Sequence, residues 1–188
     1  MSLNLQKGQK VDLTKGNPGL SKISIGLGWD TNKYDGGSNF DLDSSAFLLG
    51  DNGKVTGNKS IVYFNNLKDG SGSVVHSGDN LTGDGAGDDE VIKVDLAAVP
   101  GDVNKIVFAV TVYAAEDRNQ NFGMVSNAYI RVFDENNELV RFDLGEDFSI
   151  ETGVIAGEVY RHGAEWKFNA VGAGYSGGLA AITNDFGA

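Results

Sequence analysis

The 188-residue sequence contains no cysteine, two prolines and two histidines. Without cysteine, a disulfide framework, a thiolate metal site and a cysteine nucleophile are all excluded. The histidines, His76 and His162, stand far apart, which leaves zinc and copper poorly served. Basic residues are scarce as well: 15 Lys and Arg against 26 Asp and Glu give a formal net charge of -11. Such a chain repels nucleic-acid phosphates and anionic membrane surfaces, and cations are its natural partners. The longest apolar stretch, Ile106 to Ala115, is broken by Thr111 and is too short to span a bilayer as a helix. Met1 to Lys10 carries no apolar run of signal-peptide length, so the expected location is the cytoplasm, with no transmembrane segment.

Glycine is abundant instead, at 27 residues, about twice the ordinary share of ~7%. Short runs rich in Val, Ile, Phe and Tyr alternate with Gly/Asn/Asp clusters, the pattern of many strands joined by tight turns. Strands are expected over 22–27, 42–49, 60–64, 73–76, 91–96, 105–114, 128–133, 139–144, 154–161 and 165–171. This number of strands, with no linker between them, predicts one all-β domain over 1–188, a β-sandwich of two mainly antiparallel sheets with short peripheral helices. Ile106 to Val112 is apolar on both faces and reads as central. Asn52-Gly53 signals a hairpin with a type I′ turn, and Asn136-Asn137 a weaker one. One helical turn is expected over 95–99 and a short terminal helix over 178–185.

From Asp79 to Glu90 the chain reads Asp-Asn-Leu-Thr-Gly-Asp-Gly-Ala-Gly-Asp-Asp-Glu, five carboxylates in twelve residues. No Lys or Arg falls between His76 and Lys93. Two unit charges 4 Å apart repel by about 1 kcal/mol in water and by about 4 kcal/mol at an effective dielectric near 20, so a compact loop requires a counter-charge. A divalent cation would supply one. Gly83, Gly85 and Gly87 let the backbone turn and aim carbonyls inward, which suits the oxygen-rich shell of calcium. The loop is not an EF-hand, because Leu81, Gly83 and Asp84 occupy positions where that loop needs side-chain oxygens or its central glycine. Asp41 and Asp43, one residue apart on an extended chain, project from one face and could share an ion. Asp30 and Asp35 precede that strand and could fold over the same end. The competing reading is a solvated Asp/Gly turn with ordinary strand-end aspartates.

Two motifs fail on inspection. Gly174-Tyr175-Ser176-Gly177-Gly178 matches a nucleophile elbow, but no acid–histidine pair follows Ser176 as that fold requires. The overlapping G-x-G-x-x-G from Gly172 to Gly177 leaves no room for the acidic residue of a dinucleotide site. Trp29 and Trp166 read as packing anchors.

Several segments resemble the TerD family of tellurite-resistance and stress-response proteins. They are Gly26-Leu27-Gly28-Trp29-Asp30, Phe40-Asp41-Leu42-Asp43-Ser44-Ser45-Ala46-Phe47, the run Gly78 to Glu90, Asn121-Phe122-Gly123, and Tyr160 to Phe168 with its Glu165-Trp166-Lys167-Phe168 ending. The resemblance implies a β-sandwich holding two calcium ions near one end, without established catalytic activity. By resemblance the side-chain ligands are Asp30, Asp41, Asp43, Asp79, Asp88, Asp89 and Glu90, with carbonyls from Leu81, Gly83 or Gly85. The resemblance also implies a role in resistance to tellurite and other stresses, and the expected partners of such a module are other stress-response proteins.

Three function classes therefore compete. The preferred one is a non-catalytic calcium-binding module whose ordered acidic loops meet a protein partner. The alternative is a metal-dependent hydrolase using the same carboxylates. The third, a nucleotide-binding protein, is disfavoured because the acidic loop offers no basic phosphate cradle.

Overall fold

The computed structural model describes residues 2–30, 39–78, 87–144 and 148–188. In chain order its elements are β1 (Leu3–Asn4), β2 (Lys10–Asp12), β3 (Lys22–Gly28), β4 (Leu42–Leu49), β5 (Ile61–Val62), β6 (Val74–His76), β7 (Glu90–Asp95), β8 (Lys105–Val112), α1 (Ala115–Arg118), β9 (Tyr129–Phe133), β10 (Glu138–Asp143), β11 (Gly153–His162), β12 (Glu165–Tyr175) and α2 (Gly178–Asp185). A 3₁₀ turn covers Phe122–Met124. None of the described helices is long and apolar enough to cross a membrane.

The strands form two six-stranded sheets, ordered β1-β10-β9-β3-β7-β6 and β2-β12-β11-β8-β4-β5. Every pairing is antiparallel except the short parallel contact of β1 with β10. Period-two alternation builds the interior. On β9, Ile130 and Val132 turn inward while Tyr129, Arg131 and Phe133 turn out; on β3, Ile23, Ile25 and Leu27 turn inward. The expected central strand is β8, flanked by β11 and β4. It is apolar on both faces for a structural reason. Ile106, Phe108 and Val110 enter the inter-sheet core, while Val107 and Ala109 join Phe47, Leu49, Ile155 and Ile182 in a second cluster under α2.

The sandwich and the terminal helix agree with expectation, and the differences are local. The segments Leu3–Asn4 and Lys10–Asp12 are edge strands whose neighbours are too polar to alternate clearly, so sequence pattern passes over them. Residues 95–99 form a turn in which the Ala98 N–H donates to the Asp95 carbonyl, 3.0 Å, ahead of Pro100, and no helix follows. At the Asn52–Gly53 hairpin only Gly53 has a positive φ, +70°, so the turn is not type I′. The Gly50 N–H donates to the Lys54 carbonyl at 2.9 Å and closes a wider loop. Helix α1 was not anticipated; it is one turn long and entered through Ala114 at φ 48°.

Candidate functional site at the acidic end

Four segments meet at one end of the sandwich: the end of β3, the start of β4, the start of β7 and the approach to β9. Leu27 pairs with Glu90 and Gly28 with Tyr129, and the Asp89 N–H donates to the Leu27 carbonyl at 2.7 Å. Trp29 ties this end together. Its backbone N–H donates to Asp89 Oδ2 at 2.9 Å and its indole Nε1 donates to the Phe40 carbonyl at 3.0 Å. The tryptophan is buried, as a packing anchor should be.

Glu90 bridges the two sheets. Even-numbered residues of β4 direct their N–H groups toward β5, but β5 is short, and at Ser44 no strand of the described residues stands opposite. The Glu90 carboxylate occupies that position, and Oε2 accepts from the Ser44 N–H at 2.6 Å and from the Ser44 hydroxyl at 2.7 Å. His76 Nε2 lies 3.1 Å from Ser44 Oγ and 3.3 Å from Glu90 Oε2. The Gly78 N–H donates to His76 Nδ1 at 3.1 Å, so Nδ1 is unprotonated and Nε2 carries the hydrogen. A serine, a histidine and a glutamate thus meet, yet they make no nucleophile–base pair: the nitrogen facing Ser44 is a donor, and the His76 and Glu90 side chains have no solvent exposure. The group is an internal brace.

Asp88 meets an arginine. Arg131 on β9 grips its carboxylate as a fork, Nε to Oδ1 at 2.8 Å and Nη2 to Oδ2 at 2.8 Å, and the Tyr129 hydroxyl donates to Oδ1 at 3.1 Å. Part of the counter-charge for the acidic segment therefore comes from β9, 43 positions along the chain. The Gly26-Leu27-Gly28 pattern makes room for this layer. A Cβ on Gly26 would overlap the Asp88 carboxylate, and one on Gly28 the Tyr129 ring.

The remaining candidates lie around these braces. Asp30 accepts from Asn127 Nδ2 at 2.7 Å, and its backbone N–H donates to Ser126. Asp43 lies on β4 and Asp41 immediately before it, and both are buried, 3% and 4% exposed. Asp41 Oδ2 faces Arg118 Nη1 at 3.4 Å, while Oδ1 has no hydrogen-bond partner among the described residues. Burial raises the Asp41 carboxyl above its ordinary range, the Arg118 guanidinium opposes this, and the nearby Glu90 charge adds to it. Among the described residues no three His, Asp or Glu side chains converge as a ready metal cluster. Asp35, Asp79, Leu81, Gly83 and Gly85 lie outside the described residues. The carboxylates of Asp30, Asp41, Asp43 and Asp89 are oxygen donors of the kind calcium takes, and one buried Asp41 oxygen lacks a partner among the described residues.

With this geometry established, comparison with known proteins places the chain. Its sequence matches the TerD domain over residues 1–186. The chain belongs to the TerD domain family. It is 62% identical to general stress protein 16U of Bacillus subtilis (strain 168), the alignment covering 100% of this chain and 98% of that protein. It is 52% identical, with the same coverages, to the tellurium resistance protein TerD of Alcaligenes sp. A crystal structure of a homologue of telluride resistance protein (TerD) from Streptomyces coelicolor A3(2) shares the fold, with a TM-score of 0.74 at 21% identity over 88% of this chain and 96% of that one. The two sequence relatives are named for resistance and stress rather than for a reaction.

The fold also accounts for other motifs of this TerD domain. In Asn121-Phe122-Gly123, Phe122 is buried against Phe148 with ring centroids 6.2 Å apart, and a Cβ on Gly123 would overlap the Ser149 carbonyl. Trp166 lies under the Arg161 guanidinium, 4.4 Å from the ring centroid. Sequence reading gave no role to Ser44, His76, Tyr129 or Arg131. Ser44, Tyr129 and Arg131 meet partners more than thirty positions away, and His76 reaches Glu90 only across the acidic segment.

Proposed function

We propose that this protein is a non-catalytic calcium-binding module of the stress-response and tellurite-resistance type, acting in the cytoplasm. Calcium, two ions by family resemblance, orders the acidic loops at one end of the sandwich and so forms a surface for other stress-response proteins. The observation that carries this reading is the burial of Asp41 and Asp43, with Asp41 Oδ1 lacking a hydrogen-bond partner among the described residues. A buried carboxylate oxygen without a donor costs several kcal/mol unless a cation or a proton compensates it.

The proposed ligand set is Asp30, Asp41, Asp43 and Asp89, with Asp79, Leu81, Gly83 and Gly85 from the acidic loop. Asp88 and Glu90 brace it: the first is forked by Arg131 and the second holds β4 to β7. Calcium suits this set better than magnesium because it accepts many oxygens in flexible geometry. The hydrolase alternative gains nothing from the Ser44–His76–Glu90 group, whose nitrogen facing Ser44 is a donor. Calorimetry on chelator-stripped protein tests the proposal. Two saturable calcium events with weak magnesium binding are expected; no heat at millimolar calcium would refute it.

A further inference from the structure

A cavity of about 380 Å³ opens between α1 and the start of α2, on the outer face of the sheet that carries β4 and β8. That volume lies at the small end of the range of ligand sites. Its floor includes buried Asp43, its walls include Phe64, Tyr113 and Leu179, and Glu116 and Asp117 stand on α1 at its edge. Among the described residues that line it there are three carboxylates and no Lys or Arg. Arg118, which follows Asp117, has its guanidinium over the Tyr113 ring at 5.2 Å and faces Asp41 Oδ2 at 3.4 Å, so it already occupies one contact of this aromatic wall.

Charge of one sign combined with aromatic walls favours a cation with an apolar stem. We propose that this cavity receives an arginine side chain from a protein partner, its methylenes against Leu179 and its guanidinium between Phe64 and the carboxylates of Glu116 and Asp117. A planar guanidinium matches both aromatic faces and carboxylates better than an ammonium does. The described residues already use arginine–aromatic contact: Arg118, Arg131, Arg141 and Arg161 each lie over an aromatic ring, 3.8 to 5.2 Å from the centroid. A polypeptide fits better than a free amine because the aromatic strip runs past the cavity. Phe64 packs edge-on against Tyr113 at 6.1 Å and against Tyr63 at 5.3 Å, and Tyr113 is 45% exposed. The chain's net charge of -11 attracts a basic partner at longer range.

Asp43 also belongs to the proposed calcium set, but the arginine site requires no metal, so it is tested in chelator. Isotope-labelled full-length protein is titrated by NMR with acetyl-Gly-Arg-Gly-amide, with the matching citrulline peptide, and with putrescine. The arginine peptide is expected to shift the amides of Tyr113, Glu116, Asp117 and Gly178 saturably, and to bind about ten-fold more tightly than the uncharged citrulline peptide. The exposed double variant Glu116→Gln/Asp117→Asn is expected to bind it about five-fold more weakly. Equal binding of arginine and citrulline peptides, unchanged affinity in the double variant, or shifts confined to other regions would overturn the site. Tighter binding of putrescine than of the arginine peptide would overturn its assignment to a protein partner. A silent calcium titration beside a positive arginine titration would remove the metal reading and leave this one standing.

Discussion

Glu90 on β7 accepts two hydrogen bonds from Ser44 on β4, at 2.6 and 2.7 Å, and so joins the two sheets through a single carboxylate oxygen. Glu90→Ala leaves the Ser44 N–H and hydroxyl buried without an acceptor. We expect a loss of about 2–4 kcal/mol, read as a lower urea midpoint at constant m-value, with Glu90→Gln intermediate because its amide oxygen can still accept from the Ser44 N–H. Equal stability of the alanine variant and the parent would show that the bridge contributes nothing.

Gly26 on β3 lies beneath the Asp88–Arg131 fork. Gly26→Ala is expected to push Asp88 away from Arg131 and to destabilise the protein by about 1–3 kcal/mol. The two effects are separable in a double-mutant cycle: once Arg131→Ala has removed the fork, the cost of Gly26→Ala should fall. An additive pair of substitutions would place the cost in strand conformation instead.

Much of this was legible in the sequence, and the rest was not for identifiable reasons. Strand β8 announced itself because Ile106 to Val112 is apolar on both faces, and α2 because a short apolar run, Leu179 to Ile182, follows the glycines at its start. Strand β4 was delimited at Leu42 to Leu49, and with it the placement of Asp43 inside the strand and of Asp41 at its entry. By contrast, β1 and β2 are held by pairing with β10 and β12, which no local pattern records. The Asp88–Arg131 fork spans 43 positions, and sequence reasoning that searched for a counter-charge within the loop could not find one on β9. His76 looked incidental in the sequence because its partners, Ser44 and Glu90, become its neighbours only when β4, β6 and β7 assemble.

Asp41 gives a dependence on pH. Burial raises its folded-state carboxyl above the model-peptide value of 3.8, so between these two values the folded protein binds more protons than the unfolded chain. Stability from this group therefore falls as pH rises from 3.8 through the raised value, and the cost of the buried charge persists above it. In chelator, Asp41→Asn should gain stability relative to the parent across that window and keep the gain at neutral pH. Urea midpoints from pH 3.5 to 7 check this; a gain that shrinks with rising pH would contradict the assigned sign.

Thermal unfolding of chelator-stripped protein, with and without calcium, tests the central claim most directly when Asp89→Asn is run beside the parent. A ligand at a hundred-fold excess over its Kd stabilises the folded state by about 2.7 kcal/mol. The account predicts a calcium-dependent rise in Tm for the parent, little response to magnesium, and a strongly reduced rise for Asp89→Asn. An unchanged Tm at millimolar calcium would contradict it and return the acidic segment to the role of a solvated loop braced by Arg131 and Ser44.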